Sequence, residues 1–444
     1  MEVRPASRRP VRRVERPVRC PEPPARPLVR GARLVGSALV LLAATARCAP
    51  PASRGRTRTY YLAADPVLWD YAPTGNNLTL GMGKPLEKID FGLVGLPGRS
   101  PQARVLEKAI YRAYTDSTFT KLKPRPARWR HLGMLGPVIR AAVGDTIVVW
   151  FKNNTAFPAS VHPHGVFYDK KSEGAMYLDG TSGADRADDS VPPGGTYRYV
   201  WPVPERAGPG PDDPSSILWL YHSHTHESAD VNAGLVGPIL ITRRGMARPD
   251  GSPKDVDREF VTLFASINEG ASQYFERNLE RYTGDSTGRG PKGPILFHGD
   301  GSGDFFDSMN GLMYGNLPVS SLTMKVGEHV RWYVFSFTNL IDQHSPHWHG
   351  NTVLIDGQRK DLLDLDGPFI TLTADMVPDD PGTWLYHCHV AEHVRAMSAR
   401  YRVLPVDGVV PADTAKARTD DPLAGVVKDL AVDGGVAGAK QQRP

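Results

Sequence analysis

One order of motifs occurs twice in this chain, and that duplication constrains the fold more than any other feature. Val143-Gly144-Asp145 leads to His162-Pro163-His164-Gly165 and then to Trp219-Leu220-Tyr221-His222-Ser223-His224. Val326-Gly327-Glu328 leads to His347-Trp348-His349-Gly350 and then to Trp384-Leu385-Tyr386-His387-Cys388-His389. The offsets are 183, 185 and 165 residues, the last shortened by a smaller loop. Self-similarity at this scale means two homologous domains. Each motif follows or ends a short apolar run, such as Ile147-Val148-Val149-Trp150, that reads as a strand after a turn. The 44 Gly and 40 Pro favour turns and short strands over helices. The expected class is therefore all-β: two tandem β-sandwiches, the first over 59–245 and the second over 246–404. Residues 1–58 read as an export leader and linker. Residues 405–444, rich in Ala, Gly, Asp and Lys and without aromatics, read as a disordered tail.

Chemistry concentrates at His387 to Met397, where a thiol, three imidazoles and a thioether share eleven residues. Trp384 to Tyr386 reads as a strand running into it. Residues two apart on a strand face the same way, and the one between them faces opposite. His387 and His389 can thus serve one metal site while Cys388 serves another. His393 lies five residues past Cys388, where a turn can fold back onto the sulfur. Two His, one Cys and a weak axial Met are the donors of a blue-copper site; zinc or a reactive thiol is the alternative. The two copies also annotate each other. The second offers His344, Cys388 and His393, and the offsets place Ala159, Ser223 and Ser228 at those positions in the first. One mononuclear site is missing there. The pairs His162/His164, His222/His224, His347/His349 and His387/His389 persist in both copies. Eight imidazoles from two domains can hold three coppers at a domain interface, and several coppers permit multi-electron chemistry. His131, His226, His298 and His329 lack a partner motif and read as structural or surface residues.

Charge argues against a nucleic-acid partner. The net charge is +5, but residues 1–58 hold 14 basic and 3 acidic residues. The remainder has 53 − 14 = 39 basic and 48 − 3 = 45 acidic residues, a balance of −6. The leader carries an apolar run from Leu34 to Ala46, too short to span a bilayer comfortably, ending in the small-x-small pattern Ala44-Thr45-Ala46. The body is expected to be exported to a periplasmic, secreted or cell-envelope location. A retained anchor and a lipid on Cys48 are the alternatives. Of the three Cys, Cys20 and Cys48 lie in or beside the leader. Cys388 stands alone in the body, and its place between two His marks it as a ligand.

Across roughly 59–404 the chain resembles a two-domain multicopper oxidase, in the branch related to ceruloplasmin and hephaestin and to bacterial small laccases. The resemblance rests on HxHG at His162, HxH at His222, HxxHxH at His344 and HCHxxxH at His387. It implies cupredoxin-like Greek-key sandwiches and four coppers per chain. By position, His344, Cys388 and His393 match the type 1 ligands and His162 and His347 the type 2 pair. His164, His222, His224, His349, His387 and His389 match the type 3 ligands. The family places Met or Leu ten residues after the Cys. Here Ser398 stands there and Met397, the expected axial ligand, is one short. A weaker axial ligand would raise the redox potential.

The resemblance further implies one-electron oxidation of a small reducing substrate at the type 1 copper. Transfer through Cys388 to His387 and His389 and four-electron reduction of O₂ to water follow. Proton supply calls for carboxylates, for which Glu173, Asp169 and Glu227 are the candidates; Tyr168, four residues past His164, is a candidate electron relay. The two-domain family implies a homotrimer whose clusters lie between the first domain of one subunit and the second of the next. Completion within one chain is the alternative. A two-domain copper nitrite reductase and a non-catalytic copper-binding protein are the competing functions. The substrate stays open between phenols and a metal ion. Ferroxidase activity would need carboxylates beside the type 1 copper, such as Asp361, Asp364 and Asp366.

Overall fold

The strand pattern of the sequence becomes four main sheets, and the second pair repeats the connectivity of the first. The structure, a computed structural model, describes residues 55–79, 104–283, 289–290, 293–294, 305–337, 343–407 and 427–429. The expected leader, its cleavage pattern, Cys20, Cys48 and His298 lie outside them. The first sandwich comprises β1 (Thr57–Asp70), β2 (Val105–Ala113), β3 (Ile139–Ala142), β4 (Thr146–Asn153), β5 (His162–Pro163), β6 (Thr196–Pro202), β7 (Ser216–His222) and β8 (Val236–Thr242). The second begins with β9 (Arg258–Asn268), passes the short pair β10 (Arg289–Gly290) and β11 (Gly293–Pro294), and continues with β12 (Phe305–Met309), β13 (Thr323–Lys325) and β14 (Val330–Phe337). It ends with β15 (Pro346–Trp348), β16 (Val353–Ile355), β17 (Gln358–Lys360), β18 (Thr371–Met376), β19 (Gly382–Cys388) and β20 (Ser398–Leu404).

One sheet of each sandwich runs β3-β8-β7-β5 and β13-β20-β19-β15, with a parallel first pair and antiparallel pairs after it. The opposing sheets run β2-β1-β4-β6 and β12-β9-β14-β18-β16-β17. Each contains a parallel pair, β1 with β4 and β9 with β14, followed by an antiparallel one. Register repeats as well: His162 pairs with His222, and His347 with His387. Because side chains alternate across a strand, a conserved register carries each His pair to the same face of its sandwich. One departure concerns the tail, where β21 (Val427–Asp429) pairs antiparallel with Val67–Trp69 of β1. The sequence expects disorder there.

All the described residues belong to one compact unit. The core of the second sandwich, around Trp332, Trp348 and Tyr386, is continuous with Trp69, Leu218 and Leu220 of the first. Fully burying each such side chain contributes on the order of 2 kcal/mol. Polar groups complete the join. Buried Arg331 forks onto both Asp375 oxygens, at 2.7 and 2.9 Å, and donates to Ser215 and Ser216 Oγ at the start of β7. Lys108 of the first sandwich is fully buried and ion-paired with Glu269. β7, which ends at His222, is thereby fixed against the second sandwich.

Candidate metal centre

β19 delivers its last residues to opposite faces. Tyr386 and Cys388 are fully buried on the core side. There Cys388 Sγ lies 3.9 Å from His344 Nδ1 and 3.7 Å from His393 Nδ1, and the two nitrogens are 3.3 Å apart. The sequence brings them together by two local devices. His344 exchanges both backbone hydrogen bonds with Leu365. The turn after His389 closes on itself, with Met397 N donating to His393 O at 2.8 Å and Cys388 N to Met397 O at 3.0 Å. The Met397 side chain is fully buried beneath this turn. Ser345 N donates to Cys388 Sγ at 3.3 Å, which favours the thiolate.

The outer face of β19 carries the paired imidazoles. His387 Nε2 lies 3.1 Å from His349 Nε2 and 3.3 Å from His347 Nδ1, and the His389 ring is 5.1 Å from that of His347. In the first sandwich His164 Nε2 lies 3.0 Å from His222 Nε2, with the His162 and His224 rings 5.2 Å apart. Backbone carbonyls set the tautomers. His162 Nδ1 donates to Glu173 O at 2.6 Å, His222 Nδ1 to Ser223 O at 3.0 Å and His387 Nδ1 to Cys388 O at 2.7 Å. That leaves Nε2 with a free lone pair, as a metal ligand requires. Burial first, and neighbouring imidazoles second, hold His164 down to about 4. For His387, burial and the neighbouring imidazoles outweigh the bond to Cys388 O and hold it down to about 4. His222 is driven well below its ordinary value by the same causes. These rings are neutral at neutral pH and need lose no proton to bind a cation.

The Gly and Trp of the repeated motifs have a shared use. Gly165 and Gly350 both sit at φ 75°, and a Cβ there would lie 2.2 Å from Trp219 and 2.5 Å from Trp384. The indole presses on the chain immediately after the HxH pair, so only glycine lets the chain turn.

The proposed acid-base groups fare unequally. Glu227, first residue of α1 (Glu227–Ala233), brings its carboxylate 3.3 Å from His224 Nε2 and 3.9 Å from His222 Nε2. Glu173 accepts from His162 Nδ1 through its carbonyl, and its carboxylate is 2.5 Å from Lys170 Nζ. Asp169 accepts from Lys171 N at 3.2 Å in a turn. The Tyr168 ring is 5.7 Å from His162 and 38% exposed. Asp361, grouped in the sequence with carboxylates for the Cys388 site, lies instead 3.7 Å from His347 Nε2. A carboxylate that does lie beside the Cys388 group is that of Asp307, 3.9 Å from His393 Nε2. No motif marks it, because β12 reaches the site only through tertiary packing.

At the position of Cys388 in the first sandwich, Ser223 Oγ accepts from Ser160 N at 3.0 Å and donates to Asp230 Oδ2 at 2.6 Å. Asp230 is fully buried and also accepts from His226 N and Gln273 Nε2. A hydrogen-bonded network fills the space that the second sandwich gives to Cys388, His344 and His393. Among the other lone histidines, buried His131 accepts from Val261 N, and His329 Nε2 is 3.1 Å from Asp375.

Among the described residues, the donor atoms form three groups, each within 4.8 Å: His162/His164/His222, His344/Cys388/His393 and His347/His349/His387. Neutral imidazoles and one buried thiol are donors that fit copper.

Two family models, both described as multicopper oxidase, match residues 131–245 and 288–406. The chain is 40% identical over 349 residues to ferroxidase HEPHL1 of Homo sapiens, covering 78% of this chain and 29% of that protein. It is 36% identical over 359 residues to human ceruloplasmin, covering 79% and 33%. The chain thus spans about a third of the length of these relatives. A solved structure of multicopper oxidase mgLAC aligns with TM-score 0.50 at 17% identity, covering 82% of this chain and 92% of that one, a likeness of fold.

Proposed function

As a member of the multicopper oxidase family, this chain, we propose, is an oxidase that takes single electrons from a small reductant and passes four of them to O₂, giving water. One observation carries the proposal. Cys388 lies between His387 and His389 in sequence, its sulfur grouped with His344 and His393, while His387 groups with His347 and His349 on the opposite face. The two sites are joined by a short covalent path along the backbone, which suits electron transfer between them.

In this proposal His344, Cys388 and His393 would hold one copper, with Met397 as a further donor. His162 and His347 hold a second. His164, His222, His224, His349, His387 and His389 hold a coupled pair. Copper there supplies reversible one-electron chemistry and the binding of O₂. The chain's own residues do the rest. The carbonyls of Glu173, Ser223 and Cys388 fix the ring tautomers. Glu227 is placed to hold and deliver protons beside His224, and Asp361 beside His347. Tyr168, its ring 5.7 Å from that of His162, is the proposed electron relay. Asp307, beside the outward nitrogen of His393, favours a cationic reductant such as ferrous ion over a neutral phenol.

Assembly is part of the proposal. Each cluster is proposed to form between the first domain of one copy and the second domain of the next, and a head-to-tail homotrimer closes such a ring. The two domains are placed at 59–245 and 246–404, and the protein is proposed to be exported. The test is oxygen uptake by copper-loaded protein with ferrous ion and with a simple phenol. We expect about four electrons per O₂ without peroxide, and a higher kcat/KM for ferrous ion. Blue protein that consumes no O₂ contradicts the proposal. For assembly, His162/His164→Ala chains are mixed with His387/His389→Ala chains under exchange. Recovery of activity is expected, and none would mean that each cluster is built within one chain.

A further inference from the structure

The segment 361–370 of the second sandwich touches every histidine group. Trp348 N donates to Asp361 O at 2.9 Å and Leu363 N to Pro346 O at 2.9 Å, a ladder alongside His347. Leu365 is bonded both ways to His344. Four residues on, Phe369 crosses to the first sandwich and lies against His222, ring centroids 4.9 Å apart and planes 17° apart. It is also 6.0 Å from the His164 ring. Phe337 backs it at 5.5 Å.

The backbone works to keep that ring in place. Phe369 has φ 58°, a left-handed conformation that a bulky residue rarely adopts. It is held there by bonds to the end of β14: Phe369 N donates to Ser336 O at 2.9 Å and Ser336 N to Ile370 O at 3.1 Å. Ser336 Oγ donates to Gly367 O at 2.5 Å. A strained non-glycine residue at a turn invites the question of what its side chain does. Here the side chain is the parallel neighbour of the buried His222 ring, whose Nε2 meets that of His164.

Resting on the copper reading above, we infer that Phe369 is a positioning residue for the first-domain imidazoles. Its ring fixes the plane of His222, and through it the spacing of the His164/His222 pair. The same segment is bonded to His344 and lies along His347, so the second sandwich of a chain sets the ligand geometry of its own first sandwich. In a head-to-tail ring those imidazoles complete a neighbouring cluster.

The test compares full-length, copper-loaded Phe369→Gly and Phe369→Tyr with the parent. Glycine relieves the positive φ while deleting the ring, so a loss cannot be assigned to a strained fold. Losing one aromatic stack corresponds to a two- to tenfold loss in the population of the aligned ring, on the order expected for such pairs. Phe369→Gly is expected to lower the near-ultraviolet absorption of coupled coppers per chain by about that factor. The blue band of the Cys388 site stays unchanged, and Phe369→Tyr restores the near-ultraviolet signal. In copper-free crystals the His222 ring of Phe369→Gly is expected to rotate from its parent plane. An unchanged near-ultraviolet signal and an unrotated ring overturn the inference. If the parent itself lacks both absorption bands, the copper reading fails, and the His222 orientation alone still decides the role of Phe369.

Discussion

Ser223→Ala tests whether the first sandwich has exchanged a metal site for a hydrogen-bond network. The hydroxyl is fully buried, accepts from Ser160 N at 3.0 Å and donates to Asp230 at 2.6 Å. Alanine removes a bond to a buried carboxylate, worth ~1.5–3 kcal/mol, and leaves the Ser160 N–H without a buried acceptor, at ~1–3 kcal/mol. The two effects overlap at one cavity, so the expected loss is about 3 kcal/mol. Ser228→Ala, exposed on α1, is the control and should stay within ~0.5 kcal/mol. Urea unfolding of copper-free protein, followed by tryptophan fluorescence, measures both. Acid supplies a second check. Burial raises the Asp230 carboxyl, so this group's contribution to stability is present below its unfolded value and is lost as pH rises through its folded one. Deleting the Ser223 bond raises the folded value further. The loss should therefore be full at neutral pH and shrink on acidification. A loss below ~0.5 kcal/mol at neutral pH, or one that grows toward acid, refutes the network.

Gly350→Ala should destabilise by ~1–2 kcal/mol through its left-handed backbone and ~1–3 kcal/mol more through the clash with Trp384, while Gly357→Ala, at φ 71° with nothing within 4 Å, shows the backbone part alone. Equal losses in calorimetry would remove the indole's role. His329 is raised chiefly by its hydrogen bond to Asp375, so its stabilisation is present below the ordinary histidine value of about 6.5 and fades as pH rises through the folded value. His329→Gln should cost ~0.5 kcal/mol more stability in mild acid than in mild alkali given its partial exposure, read as the larger drop in Tm; the opposite trend refutes the pairing. Glu227→Gln should slow O₂ consumption by about a factor of 100 and enlarge the solvent isotope effect while sparing the blue band; an unchanged rate removes Glu227 from proton delivery.

Local pattern made much of this legible in the sequence. The repeated motifs fall at the same register in both sandwiches, because a two-residue period places His387 opposite Cys388 in facing direction whatever lies elsewhere. That Ala159, Ser223 and Ser228 stand in the first sandwich where the second has the Cys388-type group was likewise readable. What replaced it was not, since Asp230 enters from α1 and resembles any solvated acid in the sequence. Phe369, Asp307 and the true neighbour of Asp361 were hidden for the same reason: each reaches its histidine across tertiary distance. The carboxylates of Glu173 and Asp169 are engaged by Lys170 and a local turn, partners that proximity to the His motif in the sequence does not reveal. The strand at Val427–Asp429 was masked by a composition that suggests disorder.

The most direct measurement is the copper bound per chain in the loaded protein, taken with the fraction visible by electron paramagnetic resonance. The account predicts four per chain, two of them visible and the coupled pair silent, with the blue band abolished by Cys388→Ser. Two per chain, both visible, would contradict it and point to a mononuclear pair of sites such as a nitrite reductase needs.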